Sequence, residues 1–390
     1  MLGPRLALGL LAVLLISGCG GARTPHPERI QSDLEDFSEQ AEAPLESLER
    51  DDPLEARWNR GNRVIEIFLQ TPKGPGPWPL VVYLPGLGQK ASGGALWRET
   101  WVKSGFAVLG IQGERDRTAL SRLSTPDRRD LKSIGRPHFA VGELNQRLMD
   151  LETVLRGVDQ RAQAGIAPFS KVRPGAFAVA GFDLGAQTAQ ALLGETIRGL
   201  QGQPLSERVA AGVLLSPHVD VAAGGVQRRF QAIKAPLLVV TGTQDLDPWG
   251  MSSPSVREAA FQQAGASHKI LLTLHEGTHR QMAGIDPLSE SPEDQELDLE
   301  TLESTEENSR EPSSRREMAT GGPGASPYVV PTRSLSPTYN PRHAGQQLAG
   351  IEVISALFLR ESLSQDPRAR DWLKSQAARW LGSAGRFQIR

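Results

Sequence analysis

The chain has 390 residues, and its 43 Lys plus Arg nearly balance 45 Asp plus Glu, so its charge gives no argument for a nucleic-acid or acidic partner. That length fits one large α/β domain with added segments as well as two average domains, while 40 Gly and 28 Pro mark many turns and some unstructured sequence. A single cysteine, Cys19, excludes disulfides and Cys-based zinc sites.

At the start of the chain, Arg5 supplies a positive charge and Leu6 to Ile16 form an apolar run too short to span a bilayer comfortably. Ile16-Ser17-Gly18-Cys19 follows and resembles a bacterial lipobox, in which the cysteine is lipidated and becomes the new N-terminus. This resemblance implies a signal peptide over 1–18, a membrane anchor at Cys19 and no free thiol for nucleophilic work. It places the protein in the cell envelope. Gly20 stands where an Asp would resemble an inner-membrane retention signal, which favours the outer membrane facing the periplasm. Residues 19–55 are polar and acidic and read as a flexible tether.

The expected core runs over 56–285. Strands are predicted at Arg63 to Leu69, Leu80 to Leu84, Gly105 to Ile111, 175–182, Val209 to Leu215, Pro236 to Thr241 and Ile270 to Leu274. Apolar residues at Leu144, Leu148, Leu151, Val154, Leu155 and Val158 recur with helical spacing. Continuous apolar strands alternating with helices predict an α/β fold, a mainly parallel sheet flanked by helices on both faces. Residues 286–341 are rich in Glu, Ser, Pro and Asp and read as a disordered insertion. The segment 342–390 then completes the core with helices at His343 to Leu363 and Arg368 to Leu381.

Chemistry concentrates where strands end. Phe177 to Phe182 lead into Gly181-Phe182-Asp183-Leu184-Gly185, the pattern of a sharp strand-to-helix turn that lifts one side chain above the sheet. The central residue is Asp183 where such turns mostly carry Ser. Leu84-Pro85-Gly86-Leu87-Gly88 follows the first buried strand, where backbone N–H groups can face an oxyanion. Val239 to Asp245 ends a strand in an acid, with Asp247 as a rival, and Glu276-Gly277-Thr278-His279 ends the last strand in a histidine.

The order nucleophile, acid, histidine resembles that of the α/β-hydrolase superfamily, particularly its dienelactone hydrolase and platelet-activating-factor acetylhydrolase-like branch. The resemblance spans roughly 62–285 plus the C-terminal helices, including Trp372 and Leu373. It implies an α/β-hydrolase fold with Asp183 as nucleophile, Asp245 as orienting acid and His279 as base. It also implies an oxyanion hole from the N–H of Leu184 and that of Leu87 or Gly88. The expected function is hydrolysis of ester-type or related small substrates, with no cofactor or metal, and with a small-molecule ligand and the membrane as partners.

Asp at the elbow opens two alternatives. Carboxylate attack on an ester carbonyl gives a mixed anhydride, whereas attack on saturated carbon gives an alkyl-enzyme ester, as in dehalogenases and epoxide hydrolases. Dehalogenase-like sites carry a Trp after the nucleophile, and here Leu184 stands there. Tyrosines that would protonate an epoxide oxygen are scarce: Tyr83 lies in a strand, and Tyr328 and Tyr339 lie in the insertion. A cap would have to come from Glu114 to Gly142. The other alternative is a non-catalytic binding protein on the same scaffold.

His275-Glu276-Gly277-Thr278-His279 matches H-E-x-x-H, but it follows an apolar strand, and Gly277 weakens the helix that zinc chemistry requires. His218 reads as a loop residue, Trp97 and Trp101 as packing on the loop after the oxyanion turn. Arg115, Arg117, Arg122, Arg128 and Arg129 read as a solvated face.

Overall fold

The computed structural model describes residues 27–120, 131–202, 204–286, 288 and 343–390. Its strands are β1 (Leu54–Arg60), β2 (Arg63–Gln70), β3 (Trp78–Leu84), β4 (Ala107–Gly113), β5 (Val172–Phe182), β6 (Val209–Leu215), β7 (Leu237–Gln244), β8 (Lys269–Thr278) and β9 (Gly385–Ile389). They form one nine-stranded sheet in the order β1-β2-β4-β3-β5-β6-β7-β8-β9. The strands from β4 to β8 run parallel, while β1, β2 and β9 pair antiparallel at the edges.

The helices, in chain order, are α1 (Pro27–Gln40), α2 (Ala95–Lys103), α3 (Glu114–Arg117), α4 (Leu131–Phe139), α5 (Val141–Gln163), α6 (Leu184–Leu193), α7 (Val226–Phe230), α8 (Ala259–Gln263), α9 (His279–Met282), α10 (Ala344–Ser364), α11 (Pro367–Ser375) and α12 (Ala377–Leu381). Side chains alternate across the pleat. Val81 and Tyr83 enter a core with Trp101, Ile354 and Phe358 on one side of the sheet. Leu80, Val82 and Leu84 enter a second core with Leu144, Leu151 and Leu192 on the other. Burial on both faces explains why the strands read as unbroken apolar runs. The chain is therefore of the α/β class, a mostly parallel sheet flanked by helices.

Several boundaries differ from the sequence reading. The stretch expected to be a flexible tether contains α1 and the start of β1. Leu34 of α1 is buried, Phe37 stacks on Trp380 with ring centroids 4.6 Å apart, and Trp372 Nε1 donates to the Ala41 carbonyl at 2.9 Å. Ile30, Leu34 and Phe37 form a narrow helical stripe, which the acidic composition around it conceals. At the other end, the helix expected over 368–381 divides at Gln376 into α11 and α12, and edge strand β9 follows. Trp97 and Trp101 are fully buried within α2. Their indoles donate to the Met282 carbonyl and to Ser355 Oγ, so they lock α2 into the core instead of packing on a loop. Residues 1–26, with Cys19, and nearly all of 286–341 lie outside the described residues.

Candidate active site

The turn between β5 and α6 is built as its glycines suggest. A Cβ on Gly185 would overlap the Leu84 carbonyl, and one on Gly181 would overlap the backbone of Gly185. Only glycine permits that approach. Asp183, between them, has φ 52° and ψ −112°, a strained conformation for a residue with a Cβ, of the kind that collects at functional sites.

The structure brings the three expected side chains together at the carboxyl edge of the sheet. His279 opens α9, and its Nδ1 lies 2.8 Å from Asp245 Oδ1. Its Nε2 lies 3.9 Å from Asp183 Oδ1. Asp247, the rival acid, is used otherwise: its carboxylate accepts the N–H groups of Trp249, Met251 and Ser252 at 3.0, 2.7 and 2.7 Å.

The oxyanion expectation divides. The Leu87 N–H donates to Asp183 Oδ2 at 3.3 Å, whereas the Gly88 N–H donates to the Asp116 carbonyl at 3.0 Å. The one N–H of Gly88 thus holds the turn, while that of Leu87 faces the Asp183 carboxylate. Leu184 opens α6, where the first backbone N–H groups have no partner inside the helix. Its side chain joins Leu87, Phe139 and Trp249 in a small apolar cluster over the site.

Four residues the sequence did not single out complete the arrangement. Trp249 Nε1 donates to both oxygens of Asp183, at 3.1 and 3.0 Å. Ser216 Oγ donates to Asp245 Oδ1 at 2.6 Å and lies 2.7 Å from His279 Nδ1. Thr241 Oγ1 donates to Asp245 Oδ2 at 2.8 Å. Arg257, buried like Asp245, lies with Nε 3.3 Å from Asp245 Oδ2. Ser216 has φ 51°, and its position directly after a strand was the one local signal that could have marked it.

Burial dominates the electrostatics. Desolvation pushes the Asp183 carboxyl above its ordinary value, opposed by His279 and the Trp249 N–H, while the nearby charge of Asp247 adds to the rise. Desolvation would also raise Asp245, but Arg257, His279 and Ser216 outweigh it and hold that carboxyl low. His218, its ring 4.5 Å from that of Phe139, is driven down to about 4 by burial and is neutral at pH 7.

Part of the segment Glu114 to Gly142, the one place from which a cap could come, packs over the site. In α4, Gly135 packs against the Trp249 ring so closely that a Cβ would strike it, and Phe139 lies 6.4 Å from Trp249. Behind this helix, His138 Nδ1 pairs with buried Asp116 at 2.6 Å. Arg115 and Arg117 pair with Glu143 and Glu66 at 2.6 and 2.9 Å, while Arg122, Arg128 and Arg129 lie outside the described residues.

The H-E-x-x-H segment places His275 and Glu276 on β8, with α9 beginning only at His279. His275 Nδ1 contacts the Ser383 carbonyl, and His279 faces Asp245, so the two histidines do not share a helix face. Among the described residues, no group of three or more His, Cys, Asp or Glu side chains is placed to hold a metal ion.

A scan against protein-family models finds no match to this chain, and a search of curated proteins finds no similar sequence.

Proposed function

We propose that this chain is a hydrolase of the α/β-hydrolase type whose nucleophile is the Asp183 carboxylate, acting at a saturated carbon of a small substrate. One observation carries the reading: Asp183 Oδ2 accepts the Leu87 N–H while Oδ1 faces His279 Nε2. An ester formed on Oδ1 would leave Oδ2 as the carbonyl oxygen, already beside the donor that its hydrolysis requires.

The steps follow from these positions. Asp183 Oδ1 attacks the carbon, forming a C–O bond as the leaving group departs with the bonding electrons. Trp249 Nε1–H, lying against the same carboxylate, supplies a hydrogen bond to that departing charge. His279 Nε2 then takes a proton from water as the oxygen attacks Cγ of Asp183, and the Leu87 N–H stabilises the oxyanion. Collapse expels an alcohol, which receives the proton from His279; the Asp183 carboxyl then gives up the second proton of the water, to solvent or, with an epoxide, to the alkoxide, and the carboxylate is restored. Asp245, with Ser216, holds the His279 tautomer that carries its proton on Nδ1.

Single-turnover reactions with haloalkanes, epoxides and esters in heavy-oxygen water test the reading. Label is expected in the Asp183 carboxylate after turnover of one of the first two classes. Turnover of esters alone without label in Asp183, or no turnover on any class, overturns it.

A second reading is a binding protein without turnover. It is favoured by the sealing of Asp183, only 3% exposed beneath Leu87, Phe139, Leu184 and Trp249. Ligand-induced protection of α4 in hydrogen exchange, with no product, would select it.

The proposal also includes export and anchoring by lipid at Cys19, with the site facing the periplasm from the outer membrane. Incorporation of labelled fatty acid into the native protein and its loss in Cys19→Ser tests this part.

A further inference from the structure

A buried arginine sits behind the histidine, and none of the proposed steps uses it. The Arg257 side chain is 1% exposed. Its Nε donates to the Asp245 carbonyl at 3.0 Å and its Nη1 to the carbonyls of Ser216 and Pro217, both at 2.9 Å. Nη2 lies 3.5 Å from His279 Nδ1. One guanidinium thus ties together the loops that carry the hydroxyl and the acid, and sets its charge beside the imidazole.

A site with Ser at the elbow contains one buried carboxylate, and an imidazolium alone can balance it. This site contains two, Asp183 and Asp245, on opposite sides of one imidazole. Two carboxylates without another cation would hold the proton on His279 and pair it permanently with Asp183, so no base would remain. We infer that Arg257 is a positioning residue, the internal counter-ion that offsets the second buried carboxylate and leaves His279 Nε2 free to act as a base. The catalytic part of this inference rests on the hydrolase reading above; the electrostatic part does not.

The other charged and titratable groups around His279 do not substitute for Arg257. Asp247, in the loop after β7, spends its carboxylate on three backbone N–H groups. His218 after β6 is neutral at pH 7, and Ser216 offers only a hydroxyl. His275 and Glu276 on β8 are exposed. Arg280, the neighbour of His279 on α9, has an interaction of its own. Phe182 closes the remaining side, its ring 4.8 Å from the imidazole.

The test is the titration of the His279 imidazole, followed by NMR in the full-length native protein, Arg257→Lys and Arg257→Met. This readout needs no turnover, so it separates failure of this inference from failure of the hydrolase reading. Arg257→Met is expected to move the midpoint upward by at least about one pH unit. Arg257→Lys, which keeps the charge, is expected to leave it within a few tenths. If turnover is found, the acid limb of its pH profile should move with the midpoint. A folded Arg257→Met variant with an unmoved midpoint overturns the inference. Should Arg257→Met fail to fold, adding Asp183→Asn removes the carboxylate that needs offsetting and is expected to restore folding. Failure of that double variant to fold also overturns the inference.

Discussion

Trp249 Nε1 lies 3.1 and 3.0 Å from the two oxygens of Asp183, so a residue from the loop after β7 supplies the polar side-chain contact inside the apolar cover of the elbow. Dehalogenase-like sequence logic looks for a Trp at position 184 and finds Leu. The donor arrives instead from position 249, through the fold. Trp249→Phe keeps an aromatic ring beside Gly135 and Phe139 and removes the N–H together with part of the indole. A hydrogen bond to a charged group is worth about 1.5–3 kcal/mol. Covalent capture of substrate by Asp183 should therefore slow by about 10- to 100-fold, measured by mass spectrometry of the alkylated protein. An unchanged rate would remove Trp249 from the reaction.

Asp183 itself is a stability liability. Its carboxyl is raised by burial, so the folded state holds the proton more tightly than the unfolded chain does. The stability this provides is complete below the unfolded value of 3.8 and is lost as pH rises through the folded value. At neutral pH the unfolded chain ionises more readily at this position than the folded one, so the carboxyl works against folding. Asp183→Asn keeps the shape, tolerates positive φ better and carries no charge. It should raise the melting temperature at pH 7 by about 2–4 °C, the equivalent of about 1 kcal/mol, and by less at pH 4. The same variant should form no covalent intermediate. An equal gain at both pH values would mean that backbone strain, rather than charge, is relieved.

The elbow and the strands were legible because their causes are local. Gly181 and Gly185 are dictated by contacts within one turn and with the strand beside it, and a strand buried on both faces writes itself as an apolar run. Asp183, Asp245 and His279 each follow a strand, so their convergence follows from parallel order. Trp249 and Arg257 carry no such mark, and Ser216 shares only the position after a strand. Each lies in a loop whose direction is set by packing, and the Arg257 fork acquires meaning only when the ends of β6 and β7 lie side by side. The segment 27–53 failed for a different reason: three apolar residues in an acidic helix suffice when a prepared groove on α10 and α12 receives them.

That docking can be measured. Phe37 stacks on Trp380, whose own Nε1 donates to the Phe37 carbonyl at 3.1 Å. Phe37→Ala removes the ring but leaves the backbone acceptor. Because Phe37 is only half-buried, the cost should fall below that of a core Phe→Ala change, at about 1–3 kcal/mol. Limited proteolysis should then cut within 27–41 well before the core. If segment 27–41 is a free tether in solution, cleavage there will be equally fast in both proteins.

Glu352 gives the sharpest pH test remote from the site. It lies in α10, buried, accepting the Thr100 hydroxyl at 3.0 Å. Burial drives its carboxyl up to about 7 from an ordinary 4.5, against the Thr100 hydrogen bond and the charge of Lys103. The folded state therefore favours the protonated form. Its stabilising contribution is whole below pH 4.5 and decays as pH rises to about 7 and beyond. Glu352→Gln retains an oxygen for Thr100 and never ionises. The two proteins should be equally stable at pH 4, and the Gln variant should gain steadily from there to pH 8. The gain should reach as much as about 3 kcal/mol at one pH unit per 1.36 kcal/mol. Urea denaturation across that range measures it. A constant difference at all pH values would show that Glu352 ionises alike in the folded and unfolded chains, and the helix packing between α2 and α10 would need no proton to hold it.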